Sequence, residues 1–153
     1  MSEDFKIKKD LFKQCHELLQ VRLERLNNKI SDLQESLGTE TKSSAGDKHE
    51  TGRAMIHLER EKLGYQLAEL EQDLKVLERI NPLDQHVKVG LGSVVFTTQF
   101  NYFIAVSCGQ ISSRGTDFYA VSSNAPIAKH FMSREQEDCV TFRSQKITIL
   151  KIL

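Results

Sequence analysis

Two carboxylates, Asp47 and Glu50, stand three residues apart in the polar stretch from Ser43 to Arg53. In a helix, this spacing places both side chains on one side of the first turn. Asp followed three residues later by Glu is also typical of a helix start. There, the first acid caps the helix, and the side chain of the second reaches back to the backbone N–H of the first. Both acids favour the positive end of the helix dipole. The local sequence therefore predicts that a helix begins near Asp47.

Long apolar repeats flank this acidic stretch on both sides. Apolar residues recur at spacings of four and three, with Arg60 at one position: Leu19, Leu23, Leu26, Ile30, Leu33 and Leu37 upstream, and Ile56, Leu63, Leu67, Leu70, Leu74 and Leu77 downstream. This heptad pattern predicts a helix over about Asp4–Leu37, stopped by Gly38, and a second over about Asp47–Ile80. Because a short polar stretch joins them, we expect an antiparallel coiled-coil hairpin with an acidic tip near residues 39–53.

The composition changes after Asn81-Pro82, where Pro ends the second helix. β-branched and aromatic residues then predict five strands: Ser93–Thr98, Asn101–Ser107, Phe118–Ser122, Cys139–Phe142 and Lys146–Ile152. Pro126–Met132 is typical of a short helix that starts with Pro. The fold class is therefore α+β, with a helical hairpin at 1–80, a linker at 81–88 and a small antiparallel β domain with one short helix at 89–153.

The composition excludes several classes of function. Lys plus Arg and Asp plus Glu both number 21, so whole-chain charge gives no argument for nucleic-acid binding. The three cysteines are far apart and form no CxxC motif, so we expect neither a disulfide framework nor a zinc site: Cys15, Cys108 and Cys139. The five histidines share no spacing typical of metal ligands, so we expect them to be solvated: His16, His49, His57, His86 and His130. With no apolar signal-peptide core and no membrane span, a cytoplasmic location is expected.

Several motifs occur in an order that resembles a known family. The tip reads Gly46-Asp47-Lys48-His49-Glu50, the β region opens with Val89–Val95, Tyr119–Val121 leads into Ser122–Ala128, and the last strand is Ile147–Ile152. In this order, the chain resembles the Gre-type transcript cleavage factors of bacterial RNA polymerase, the GreA/GreB family. Those proteins combine an antiparallel coiled coil, an acidic Gly-Asp-x-x-Glu tip and an FKBP-like β domain.

The resemblance implies a function without an autonomous active site. By this resemblance, Asp47 and Glu50 are metal-delivering acids that hold Mg²⁺ jointly with RNA polymerase and stimulate the polymerase's own cleavage of backtracked RNA. It also implies residues that bind the partner: Lys48, Arg53, Ser123 and Pro126. The expected partners are RNA polymerase and, through it, the 3′ end of the nascent RNA, with no cofactor of the chain's own, no membrane and a monomeric state.

Departures from the family pattern leave alternatives open. Arg53 stands where the family usually has an aromatic residue, and Lys48 where an apolar residue often follows the tip Asp. These changes favour a regulator that occupies the polymerase channel without promoting cleavage. A prolyl isomerase is a further alternative, and the lack of Trp argues against it. A coiled-coil adaptor would explain the heptads but not the β domain or the acidic tip.

Overall fold

The molecule is known from a computed structural model that describes residues 2–42 and 47–153, with the side chains at 39–50 outside the described part. In chain order, the elements are α1 (Glu3–Lys42), α2 (Asp47–Glu78), β1 (Val94–Thr97), β2 (Tyr102–Ala105), β3 (Gly109–Ser113), β4 (Thr116–Ser122), α3 (Pro126–Phe131), β5 (Cys139–Phe142) and β6 (Gln145–Ile152). None of the helices described is long and apolar enough to cross a membrane. The predicted α+β fold class is confirmed.

The first helix is longer than the sequence predicts. It passes through Gly38 and ends at Lys42, so the predicted stop at Gly38 was wrong. A glycine ends a helix when its backbone turns left-handed, and Gly38 does not have a positive φ. The second helix begins at Asp47, as predicted, and ends at Glu78. The next two amides bond three residues back, so the chain leaves the helix in a tight turn before Pro82.

The seam between α1 and α2 is formed by the predicted heptad residues. Every one of them is buried or half-buried, including the half-buried Arg60. The middle of α1 lies beside the second half of α2, because Arg22–Lys29 and Gln66–Asp73 line one shared groove, at comparable distances along the chain from the four-residue connection between the helices. The helices therefore run antiparallel, and the predicted pairing is confirmed.

The described chain divides into two compact units. One contains Leu19–Asp73, which is most of the heptad part of both helices. The other contains Met1–Leu18 together with Leu74–Leu153, so the beginning of α1 and the end of α2 belong with the sheet. The domain boundaries drawn from the sequence at residues 80 and 88 stay a prediction.

The sheet has six strands in the order β3-β4-β2-β1-β6-β5. Four of the pairings are antiparallel, and β2 pairs with β4 in parallel, with Phe103 opposite Ala120. The parallel pair arises because β3 and β4 form a hairpin, which returns β4 to the direction of β2. The strand β3 was not predicted, because it is a polar edge strand in which only Ile111 and Ser113 are buried.

One apolar core fills the space between the sheet and α3. It contains nine buried residues: Val89, Val95, Tyr102, Ile104, Ala128, Phe131, Val140, Ile147 and Ile149. Phe131 is fully buried, and its ring centroid lies 5.3 Å from that of Tyr102. The short helix that presents Phe131 begins at Pro126, as predicted.

Candidate functional site

The predicted metal-delivering acids lie at the start of α2. Only four residues separate the end of α1 at Lys42 from Asp47. The acids therefore lie immediately after the short connection between the two helices. Positions 47 and 50 both fall in the first helical turn, on one side of the helix. The side chains of Asp47, Lys48 and Glu50 lie outside the described residues, so their roles and the capping interpretation stay predictions.

Two arginines that follow the acids have different environments. Arg53 is exposed on α2, as a residue that binds a partner must be. Arg60 occupies a seam position and is half-buried, and its Nη1 lies 3.6 Å from the place that a Cβ would take at Gly64. The missing side chain at Gly64 therefore leaves room for the Arg60 guanidinium beside the seam. Arg53 remains the better candidate for contact with a partner.

Charged residues border the seam further along the helical pair. Arg22, Arg25 and Lys29 from α1 line a groove with Glu69 and Asp73 from α2. Burial raises the pKa of the Asp73 carboxyl, while nearby Arg22 opposes that rise and Glu69 adds to it. Because acids and bases both line this groove, it is not a strongly basic surface.

The other predicted partner residues lie in the unit that contains the sheet: Ser123 in the turn before α3, and Pro126 as the first residue of α3. The Ser122 carbonyl accepts a hydrogen bond from the Ala125 amide at 3.0 Å, and the Ser122 Oγ accepts one from the Asn124 amide at 3.2 Å. This turn leaves Ser123 half-buried and Pro126 exposed. The structure thus places this pair and the acidic pair in different compact units.

Pro126 lines an open groove with a volume of about 420 Å³. Its wall is largely apolar and aromatic: Phe100, Tyr102, Ile127, Phe142 and Ile147. Arg143 is the charged residue of the lining, with its guanidinium carbon 5.1 Å from the centroid of the Phe142 ring. The groove suits an apolar side chain accompanied by an acid. The groove does not test the prolyl isomerase alternative, which stays a prediction.

A buried polar cluster, which was not predicted, joins α1 to the segment before the sheet. Lys8 is 3% exposed, and its Nζ donates to the Asp84 carbonyl oxygen at 2.6 Å and lies 2.9 Å from His86 Nδ1. An ammonium group has only donors, so His86 Nδ1 accepts and this histidine is neutral. Burial lowers the pKa of Lys8 to about 8, against the opposing effect of Asp84. Burial and Lys8 together lower the pKa of His86.

This cluster corrects the expectation that His86 is solvated, since its ring is half-buried and hydrogen-bonded. The signal in the sequence is the spacing of Lys8 from Leu11 and Cys15, which places the lysine on the apolar face of α1. Among the residues whose side chains are described, no group of three or more His, Cys, Asp or Glu is arranged to hold a metal ion.

The comparisons with known proteins gave matches among solved structures. No family model matches the chain, and neither does any curated protein. The chain is similar to the GreA factor homolog 1 (Gfh1) protein of Thermus thermophilus, with 16% identity, 90% of this chain and 93% of that chain covered, and a TM-score of 0.35. It is similar to Gfh1 of Thermus aquaticus, with 17% identity, coverage of 90% and 92%, and a TM-score of 0.35. A further structure of the transcription factor Gfh1 gives 18% identity, coverage of 89% and 91%, and a TM-score of 0.36. At these identities and TM-scores, any inference of function rests on the chain's own residues.

Proposed function

We propose that this protein is a Gre-like transcription elongation factor that binds bacterial RNA polymerase. On this proposal, the joined ends of α1 and α2 enter the secondary channel of the polymerase. The acids Asp47 and Glu50 then reach the polymerase active site and stimulate cleavage of backtracked RNA. The protein itself has no separate active site, because the polymerase supplies the catalytic centre.

One observation carries this proposal. The Asp-x-x-Glu pair begins α2 after a four-residue connection from α1. The two helices have 40 and 32 residues and pair antiparallel through their heptad seam. At about 1.5 Å per residue, the shorter helix is roughly 48 Å long. Such a length lets two acids act far inside a narrow channel while the rest of the chain stays outside.

On this proposal, RNA cleavage needs a Mg²⁺ ion with more oxygen ligands than the polymerase alone supplies. Mg²⁺ prefers six oxygen ligands in an octahedron, and two carboxylates fill only part of that shell. Asp47 and Glu50 therefore suit a metal held jointly with another protein and do not suit a site of their own. When bound, Mg²⁺ activates a water and stabilises the leaving oxygen during phosphodiester hydrolysis. This chain's part is to bring the acids in and to hold them on one helical turn.

A second candidate function is favoured by Arg53. It is exposed three residues after Glu50, where the resembled family usually has an aromatic residue. A cation at this place can bind phosphate or an acidic polymerase surface without contributing to cleavage. On this alternative, the protein occupies the channel and blocks or slows the polymerase.

RNA cleavage in stalled, backtracked elongation complexes of the cognate polymerase tests the proposal. We expect the wild-type protein to accelerate Mg²⁺-dependent cleavage, and Asp47→Asn/Glu50→Gln to lose about a hundredfold of that acceleration, equal to nearly 3 kcal/mol. The matched control is Asp32→Asn/Glu35→Gln, which changes an exposed acid pair of the same spacing on α1. This control should retain cleavage.

Binding to the polymerase, measured in parallel, separates the alternatives. Binding without cleavage, equal for wild type and both variants, supports the channel-occupying regulator. No binding at all refutes a polymerase-directed function and leaves a coiled-coil adaptor.

A further inference from the structure

A partly enclosed cavity of about 300 Å³ lies beside the buried lysine of α1. Lys8 lines this cavity, and the other walls come from the start of α1, the segment after Pro82 and the end of β6. All of these residues belong to the compact unit that contains the sheet. We call this space the Lys8 cavity. It brings a buried amine next to a volume that a small molecule can fill.

The contacts of Lys8 leave its nitrogen able to act as a nucleophile once it has lost its proton. A neutral amine has two N–H groups and one lone pair. The Asp84 carbonyl oxygen at 2.6 Å and His86 Nδ1 at 2.9 Å can accept hydrogen bonds from the two N–H groups. Neither of these acceptors uses the lone pair, which stays available for attack on a carbon atom.

The surroundings of Lys8 also raise the fraction of its amine that is neutral. Burial lowers the pKa of Lys8 from 10.5 to about 8, so about one molecule in ten has a neutral Lys8 at pH 7. A lysine with a pKa of 10.5 is neutral in only about one molecule in 3,000 at that pH. The lower basicity reduces the reactivity of the neutral amine by about an order of magnitude. The net advantage at pH 7 is about twentyfold.

The charges around the Lys8 cavity favour an uncharged ligand. Lys8 interacts with the Asp84 carboxylate, and Lys151 pairs with Asp4 at 2.8 Å. Burial and Lys8 together lower the pKa of His86, so this ring adds no charge. The described residues of the lining therefore have no surplus of positive charge that would attract an anion. The remaining walls are largely apolar: Phe5, Pro82, Leu83, Val87, Ile152 and Leu153.

We propose that Lys8 is a covalent binding site for small apolar aldehydes, which enter the Lys8 cavity and form an imine with the amine. The nitrogen lone pair forms a bond to the carbonyl carbon, and the carbonyl oxygen takes up a proton. His86 Nδ1 can receive the proton that the nitrogen loses. Loss of water then leaves a C=N bond, so amine and aldehyde give imine and water without an oxidant or a reductant. The adduct is stoichiometric and reversible, and this inference does not depend on the proposed function.

Reductive labelling of the folded full chain tests the inference. Propanal with sodium cyanoborohydride at pH 7 converts each imine to a stable secondary amine, and peptide mapping by mass spectrometry gives the initial rate at each lysine. Lys8 should be labelled at least about tenfold faster than Lys6 and Lys9, which are exposed on the same helix. In concentrated urea, which removes the cavity, the three lysines should be labelled at similar rates.

Probe size and pH separate the cavity from other causes of fast labelling. A long-chain polyethylene glycol aldehyde cannot enter a space of about 300 Å³, so it should label Lys6 and Lys9 but not Lys8. With propanal, the ratio of labelling at Lys8 to labelling at Lys6 should fall more than about tenfold from pH 7 to pH 10.

Four results would each overturn the inference. In the folded chain, Lys8 would be labelled no faster than Lys6 and Lys9, or the polymer aldehyde would label Lys8. In urea, the preference for Lys8 would persist. Across the pH range, the ratio of Lys8 to Lys6 would stay constant.

Discussion

Replacing Lys8 by methionine tests how the buried lysine affects stability. The substitution keeps the apolar stem and removes the charge, which in the wild type contacts the Asp84 carbonyl and His86. Burial lowers the pKa of Lys8 from 10.5 to about 8. At about 1.4 kcal/mol per pKa unit, the protonated lysine costs the folded state about 3 kcal/mol relative to the unfolded chain.

The sign of the pH dependence follows from which state holds the proton. Below pH 8, both states are protonated, and the cost is fully present. Between about pH 8 and 10.5, the unfolded chain keeps its proton while folded Lys8 has lost it, so the free energy of unfolding rises with pH. From pH 7 to pH 10, the rise due to Lys8 is about 2.5 kcal/mol.

Urea-induced unfolding at several pH values, followed by the NMR methyl signals of the sheet's valines and isoleucines, which do not exchange with water, measures this effect. The wild type should gain about 2.5 kcal/mol relative to Lys8→Met between pH 7 and pH 10, because the other titrations cancel in the difference. Lys6→Met changes an exposed lysine on the same helix and serves as the control, and it should follow the wild type. Parallel pH profiles for wild type and Lys8→Met would refute the conclusion that Lys8 is buried as a charge.

Other substitutions test the backbone and the core. Gly92→Ala should lower the free energy of unfolding by more than about 1 kcal/mol, because φ at Gly92 is 90° and the new Cβ would lie 3.1 Å from an isoleucine side chain. Gly38→Ala should raise the free energy of unfolding by about 0.5–1 kcal/mol, because a Cβ at Gly38 would have nothing within 4 Å. Equal effects of the two substitutions would contradict this interpretation. Phe131→Ala should cost about 3–5 kcal/mol in urea unfolding, and Phe100→Ala, at a residue that is 53% exposed, should cost much less. Ser144→Gly should stabilise the β5–β6 hairpin by about 0.5–1 kcal/mol, since Ser144 has a φ of 65°, and a loss of stability in thermal unfolding would count against that strain.

The repeating parts of the fold could be predicted because their periodicity reports their packing. Every heptad position of both helices is buried or half-buried, and the strand from Cys139 to Phe142 has the predicted bounds. The stop predicted at Gly38 was wrong because glycine stops a helix only where the backbone turns left-handed. The strand β3 was not predictable in this way, because hydrogen bonding to β4 stabilises it without an apolar alternation.

The candidate site was predictable to a different degree. The start of a helix depends on nearby residues alone, so the local sequence could place Asp47 at such a start. The groove beside Pro126 depends on Phe100 and Phe142, which are distant in sequence and meet only through the sheet. Lys8 and His86 are likewise 78 positions apart. The spacing of Lys8 from Leu11 and Cys15 indicates its side of α1, but the partner in such a distant contact has no local signal. The position of the acids could therefore be predicted, whereas the groove and the pairing of Lys8 with His86 could not.

The compact unit that contains the sheet is discontinuous in sequence, so it can be completed only after β6 has been synthesised. Leu11 and Cys15, both fully buried, leave the ribosome more than seventy residues before the first strand at Val94 is made. Glu3 and Asp4 pair with Arg114 and Lys151, so this unit cannot be completed until the last strand has emerged. The heptad segment from Leu19 to Asp73 has all its residues much earlier and can pair while the ribosome is still adding strands. Nascent chains released before β6 would therefore expose the apolar start of α1, and they should be the forms that chaperones retain.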